Sequence, residues 1–208
     1  MRRPYPRIAR SVPEDRETLE FYAREAEAYG QWSKDHQNPR LETFLSNLPP
    51  GARVLELGCG YGRDSATMLA HGFDVVATDA SPEMAAQASR HLGRTVSVLP
   101  AGDLAALAEF DAIWANACLL HIPMQELADV IARIYTALKS QGCFYASYKG
   151  GEGEGRDRFG RYYNYPSVAV LEAIYHTVPW SSLEISQGIG GGYDREKTTW
   201  LHVTAVRR

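Results

Sequence analysis

The residues able to do chemistry sit at the ends of apolar runs. Glu56, Gly58, Gly60 and Gly62 alternate at the close of the run 53–57, spelling Glu-x-Gly-x-Gly-x-Gly. Glycine serves where the backbone takes a positive φ or where a ligand must approach without a Cβ in the way. A helical segment from about residue 63 to 71 follows, and its unpaired N–H groups would face the same ligand. Asp79 closes a second run, 73–78, about twenty residues past the first glycine, where nucleoside-binding α/β folds place a carboxylate that accepts hydrogen bonds from ribose hydroxyls. Ser81-Pro82 already supplies the start of the next helix, so Asp79 is not needed as its cap. His121 lies one loop past a fourth run, 110–116. The near-neutral pKa of an imidazole suits it to take a proton from an incoming nucleophile; anchoring its loop is the other use.

The spacing separates two cofactor classes. The dinucleotide fingerprint, G-x-G-x-x-G, wants glycine three places after its second glycine, and Arg63 stands there. With Glu56 ahead of the turn, the stretch 54–64 resembles motif I of the class I, Rossmann-like methyltransferases, which use S-adenosylmethionine (SAM). Val75-x-x-Thr78-Asp79-x-Ser81-Pro82-x-Met84 resembles that family's motif II, and 110–116 its motif IV. The likeness covers about residues 53–148. It implies cofactor contacts at Glu56, Gly58, Cys59, Gly60 and Arg63, at Asp79 and Ala80, and at Asn116. Asp103 stands where the family's acid meets the adenine amino group, with Leu104 beside it, although the residues alone allow a plain turn. Asn116-Ala117-Cys118-Leu119 replaces the Asn/Asp-Pro-Pro-aromatic tetrapeptide of enzymes that methylate adenine or glutamine nitrogen, so that subclass is not expected. The stretch 148–163, ending in Gly160-Arg161-Tyr162-Tyr163, more loosely resembles a small bacterial subgroup of tellurite-resistance type.

These residues need elements to position them. Leu19, Tyr22, Ala26 and Tyr29 mark one face of a helix over 14–32. The resemblance implies a cap over the substrate pocket there, with Tyr22 and Tyr29 as acceptor contacts and Trp32 beside them. A helix carrying Leu41, Phe44, Leu45 and Leu48 stops at Pro49-Pro50-Gly51, and another over 82–92 stops at Gly93. A short run, 95–99, makes the third strand. An amphipathic helix over 123–139 leads to a fifth strand, 143–148. The glycine-rich stretch 149–164 reads as a mobile loop, serving as a connector or as a lid that closes Arg161, Tyr162 and Tyr163 over SAM and an anionic or polar acceptor, with Arg161 and Tyr162 as acceptor contacts. A helix over 167–178 precedes strands 183–187 and 198–206, a hairpin with a flexible tip. The expected fold is α/β: a doubly wound, mainly parallel seven-stranded sheet with a C-terminal antiparallel hairpin. It forms one domain, with a helical cap at 1–48, a cofactor-binding core at 49–148, and the loop and hairpin at 149–208. Ligands of such sheets bind at the carboxyl ends of the strands.

Composition narrows the partners. The chain has 208 residues and a formal net charge of −3, which offers no footprint for a phosphate backbone, so nucleic acid is not expected. Three cysteines and six histidines show no metal or redox spacing, and no metal is expected. The basic first residues lack the apolar stretch of a signal peptide, and no run reaches the length of a membrane span. The expectation is a cytoplasmic enzyme, monomer or homodimer, that moves a methyl group from SAM to a small-molecule acceptor by in-line displacement. Two alternatives remain: a SAM-binding sensor or partner subunit without catalysis, and a nicotinamide oxidoreductase, which would want glycine at position 63 and a sixth parallel strand.

Overall fold

A strand with parallel neighbours on both sides and helices over both faces reads as an unbroken apolar run. β1 (Arg53–Leu57) and β4 (Phe110–Ala115) are such strands, with Val54, Leu55, Ala112, Ile113 and Trp114 all buried. In this computed structural model, which describes residues 15–33 and 38–208, they form the centre of a seven-stranded sheet. The extended start expected over residues 1–12 lies outside the described residues. β2 (Asp74–Asp79) pairs parallel to β1, and the two-residue β3 (Ser97–Val98) pairs parallel to β2. On the other side β5 (Leu138–Lys149) runs parallel to β4. β9 (Thr198–Arg207) is antiparallel to β5, and β8 (Trp180–Gly190) is antiparallel to β9. The order across the sheet is β3-β2-β1-β4-β5-β9-β8. The expected fold class is therefore the one observed.

The helices form where their stop signals allow. Ser81 caps α4 (Pro82–Leu92) by accepting from the Met84 N–H at 3.3 Å, and Gly93, with φ 64°, ends it. α3 (Arg63–Ala70) follows the glycine turn. α5 (Met124–Ala137) buries Leu127, Val130, Ile131 and Ile134 against the sheet. It stops earlier than its periodicity predicts. Leu138 opens β5 opposite Phe110, and Lys139 turns back to pair with Asp111 at 2.9 Å. α2 (Pro39–Leu45) packs Leu41, Phe44 and Leu45 on Val54 and Trp114, while α6 (Val168–Tyr175) buries Leu171 and Tyr175. Among the described residues no helix is long and apolar enough to cross a membrane.

Three segments close over the carboxyl ends of the strands. α1 (Arg16–Ser33) starts at Asp15, whose carboxylate accepts from the Thr18 N–H at 2.9 Å and pairs with Arg156 at 2.8 Å. That pairing is what holds the Asp15 pKa down at about 2. Gly30 lets α1 approach closely, since a Cβ there would lie 2.6 Å from the Tyr61 ring and 2.9 Å from the Gln87 amide. The stretch 149–164, expected to be mobile, is folded instead. β6 (Gly155–Arg156) and β7 (Tyr162–Tyr163) make a small antiparallel ribbon around a turn organised by Asp157, which accepts from the N–H groups of Phe159 and Arg161. The β8–β9 tip is tied down too, because Asp194 is buried in an ion pair with Lys149 and its carbonyl accepts from Arg158 at 2.8 Å.

Candidate active site

The turn after β1 takes left-handed conformations at Gly58 (φ 68°) and Gly60 (φ 56°). Conformation is only half the reason for glycine at 58, where a Cβ would come within 2.6 Å of the Cys118 sulfur. At Gly60 a Cβ would make ordinary contacts with Tyr29 and Met84, 3.5 and 3.6 Å away. Backbone shape, not crowding, fixes that glycine. The Gly60 N–H donates to Asp79 Oδ2 at 2.8 Å, so the turn and the end of β2 hold each other.

A cavity opens between this turn, the strand tips and α1. Its wall contains three buried carboxylates, Glu56, Asp64 and Asp79, and one guanidinium, Arg63. Arg63 is engaged with Asp64 at 2.8 Å, and Asp64 also accepts from the Trp114 indole N–H at 2.9 Å. Burial pushes the Glu56 pKa upward, and the neighbouring Asp64 charge pushes the same way; the Ser65 hydroxyl donates to Glu56 and opposes it. Asp79 is raised to about 6 by burial, partly offset by N–H donors from Ser81, Gly60 and Ala80. Such a wall is poised to accept hydroxyl and ammonium hydrogens and to lie beside a positive charge. Among the described residues no group of three or more His, Cys, Asp or Glu side chains is arranged to hold a metal ion.

His121 stands where this cavity meets a second one. Its Nδ1 lies 2.6 Å from the Tyr162 carbonyl oxygen, which can only accept, so Nδ1 carries the proton. Nε2 is then a bare acceptor, and the Tyr22 hydroxyl, 2.9 Å away, donates to it. Arg161 in turn donates to the Tyr22 oxygen at 3.3 Å while holding Asp157 at 2.6 Å. Burial drives the His121 pKa down to about 4. The near-neutral pKa expected of this imidazole is thus not found, because burial beside Tyr22 and Tyr163 penalises the charged ring. The Tyr22 pKa is raised, chiefly by burial.

The second cavity lies over β5, β8 and β9 and shares Tyr29, Trp32, Arg63, Asn116, Ala117 and His121 with the first. Asn116 accepts from Ser147 at 2.8 Å, and Ser147 accepts from the N–H of Ala117, whose φ of 51° is unusual for a residue with a Cβ. Beyond the shared wall, Tyr145, Tyr163, Trp200 and His202 line the space together with cationic side chains.

The expected contacts divide in three. Glu56, Gly58, Cys59, Gly60, Arg63, Asp79, Ala80 and Asn116 all line the first cavity, as do Tyr22 and Tyr29. Arg161 lines the second, but as a buried, ion-paired group packed over the rings of Phe21 and Tyr163, 4.8 and 5.4 Å from its guanidinium carbon. Asp103, Leu104 and Tyr162 are not part of either wall. Asp103 is exposed on a single turn at 101–103, Leu104 is buried in the core, and the cavity is lined there by Leu99 and Ala101. Tyr162 points outward to Glu154, and its neighbour Tyr163 faces in, with its ring centroid 4.7 Å from that of His121. Cys118, Asp64, Arg40 and His202 line the cavities without having been singled out. For Asp64 a signal existed, since an acid two residues past the last glycine opens the helix that follows the turn.

Comparison with known proteins agrees with this geometry. A family model described as a methyltransferase domain matches residues 54–142. Trans-aconitate 2-methyltransferase of Variovorax paradoxus is 32% identical over 161 residues, 74% of this chain and 56% of that one. Malonyl-[acyl-carrier protein] O-methyltransferase of Enterobacter lignolyticus is 27% identical over 138 residues, 62% of this chain and 53% of that one. The chain spans about half the length of the curated relatives it matches. Among solved structures, 1,6-didemethyltoxoflavin-N1-methyltransferase of Burkholderia thailandensis, in complex with its substrate and S-adenosylhomocysteine, aligns with a TM-score of 0.69 at 22% identity, covering 96% of this chain and 92% of that one. At that identity the likeness is one of fold. In the match over residues 54–142, in sheet order and in the glycine turn, the chain is similar to the class I methyltransferases, whose methyl donor is S-adenosylmethionine.

Proposed function

We propose that the protein transfers a methyl group from SAM, held in the acidic cavity, to a small-molecule acceptor held in the second. The observation that carries this reading is the set of Glu56, Asp64 and Asp79 around the glycine turn, opening through a shared wall into a separate space. The donor set fits the cofactor: buried carboxylates suit a ligand that bears a sulfonium, an ammonium and two ribose hydroxyls. The cofactor, when bound, would supply an electrophilic methyl group that bonds to the acceptor's nucleophile as its bond to sulfur breaks in line, leaving S-adenosylhomocysteine.

The chain's own residues bind, aim and exclude water. Asp79 takes the ribose hydroxyls with the lone pairs left free by Gly60 and Ser81. Tyr22, Tyr29 and Trp32 on α1 cover the cavity. His121 acts as the acceptor that fixes the Tyr22 hydroxyl, not as a base free to take the nucleophile's proton, because its Nε2 is already engaged. The names of the relatives differ in acceptor and agree in methyl transfer, which supports the reaction and leaves the acceptor open. Kinship with the tellurite-resistance-type subgroup rests on 148–163 alone, so a metalloid oxyanion is one arm of the acceptor screen.

Calorimetric titration with SAM and S-adenosylhomocysteine tests the cofactor site. Both should bind, and Asp79→Ala should weaken binding by about 1.5–3 kcal/mol, the scale for hydrogen bonds to a charged group. Equal affinity in the variant would remove Asp79 from the site. Binding without transfer of labelled methyl to any member of a broad acceptor panel would favour a sensor over an enzyme.

A further inference from the structure

The two cavities differ in the sign of their lining. Among the described residues the second is lined by Arg40, Arg63, Lys149, Arg161 and Arg195 and by no Asp or Glu. Three of these charges are already answered from behind the wall: Arg63 by Asp64, Lys149 by Asp194 and Arg161 by Asp157. The arginine expected to meet the acceptor, Arg161, is therefore spent on the fold. Among the described residues no carboxylate lies within ion-pair distance of Arg40 or Arg195.

Both are exposed, Arg195 on the β8–β9 tip and Arg40 in the first turn of α2, and both line the cavity. The Arg40 Nη2 stands 3.5 Å from where a Cβ on Gly188 would be, and Arg40 lies close enough to His202 and Tyr145 to act on both electrostatically. Gly188 and Trp200 lie in the same wall, the latter as an apolar neighbour. A guanidinium presents a planar fork of donors that matches a carboxylate or phosphate.

We infer that the acceptor is an anion, a carboxylate or a phosphate monoester, whose charged group is bound by Arg40 beside Gly188 while its body lies along Trp200 and Tyr163 toward His121. This rests on the methyl-transfer reading only in naming the ligand an acceptor; the anion site itself is a property of the second cavity.

The test is calorimetry on protein saturated with S-adenosylhomocysteine. The probes are benzoate, glutarate and phenyl phosphate, each set beside a neutral counterpart: benzamide, glutaramide and benzyl alcohol. At least one anion should bind about tenfold or more tightly than its counterpart, the scale of one charge-assisted contact. The carboxylate and phosphate arms tell which group the site prefers. Arg40→Gln should erase the preference, Arg40→Lys should restore part of it, and the affinity for S-adenosylhomocysteine should stay unchanged in both. Failure of every anion to bind, equal binding of the neutral partners, or a preference that survives Arg40→Gln would overturn the proposal. Repeating the titrations without S-adenosylhomocysteine keeps the two readings apart. Arg40-dependent anion binding in a protein that ignores the adenosyl compound would sink the cofactor reading and leave the anion site standing.

Discussion

Burial removes an imidazole from water and penalises its protonated form, and in His121 this places the pKa at about 4. The unfolded chain titrates that residue near its ordinary value, so between the two values the unfolded state holds more protons than the folded one. His121 therefore contributes stability that is present above pH about 6.5 and drains away as pH falls toward about 4. Asp79 works in the opposite sense. Its folded pKa of about 6 exceeds the unfolded one, so its contribution is full at low pH and is lost as pH rises through about 6. The two partly cancel in the wild type, and comparison with a variant separates them. For His121→Gln the stability gap to wild type should shrink by about 2 kcal/mol between about pH 7.5 and about pH 5, read by urea denaturation. A gap independent of pH would mean that the ring is hydrated or charged. Asp79 was legible in the sequence because a strand end is a local signal. The fate of His121 was not, since the Tyr22 hydroxyl and Tyr162 carbonyl that fix its tautomer come from residues 99 and 41 positions away.

At the scale of elements, α1 is the part that decides whether the cavity is covered. It carries Tyr22, Tyr29 and Trp32, and it docks through Gly30 against Tyr61 and Gln87. Gly30→Val would force those neighbours aside, at about 1–3 kcal/mol for overpacking. The helix should then ride up, raising the dissociation constant for S-adenosylhomocysteine and speeding proteolysis within residues 16–33. Unaltered affinity and cleavage would show that α1 does not cover the ligand. The β1, β2 and β4 strands and α4 were readable because buried parallel strands are continuous apolar runs, and Ser81-Pro82 and Gly93 are punctuation in plain view. The 149–164 ribbon was misread as mobile because its order comes from Asp157 and from the rings around Arg161, not from its glycines. Tyr162 and Tyr163 were both expected to close over the ligands, but adjacent strand residues face opposite ways, and of the two Tyr163 faces in.

Across the whole molecule, a net charge of −3 conceals two opposed interiors. The acidic wall is contributed by the ends of β1 and β2 and the start of α3, which are close in sequence, and two of its three acids, Glu56 and Asp79, could be read there. The basic wall gathers Arg40, Lys149, Arg161 and Arg195 from three separate stretches, of which the sequence pointed to the one that carries Arg161. Composition averages over both.

That separation of charge bears on how the site empties. In the proposed reaction the donor arrives with a positive sulfur and departs as a neutral thioether, while Glu56, Asp64 and Asp79 remain in place. Once the reagent is spent the wall keeps the ammonium but loses the sulfonium, so its electrostatic hold on the spent cofactor should be weaker than on the donor. The checkable form is the contrast between the two adenosyl compounds. Added salt should weaken the binding of SAM more than that of S-adenosylhomocysteine, because only the former presents the extra charge to be screened. Parallel salt dependences would mean that the three acids serve the turn and not the sulfonium.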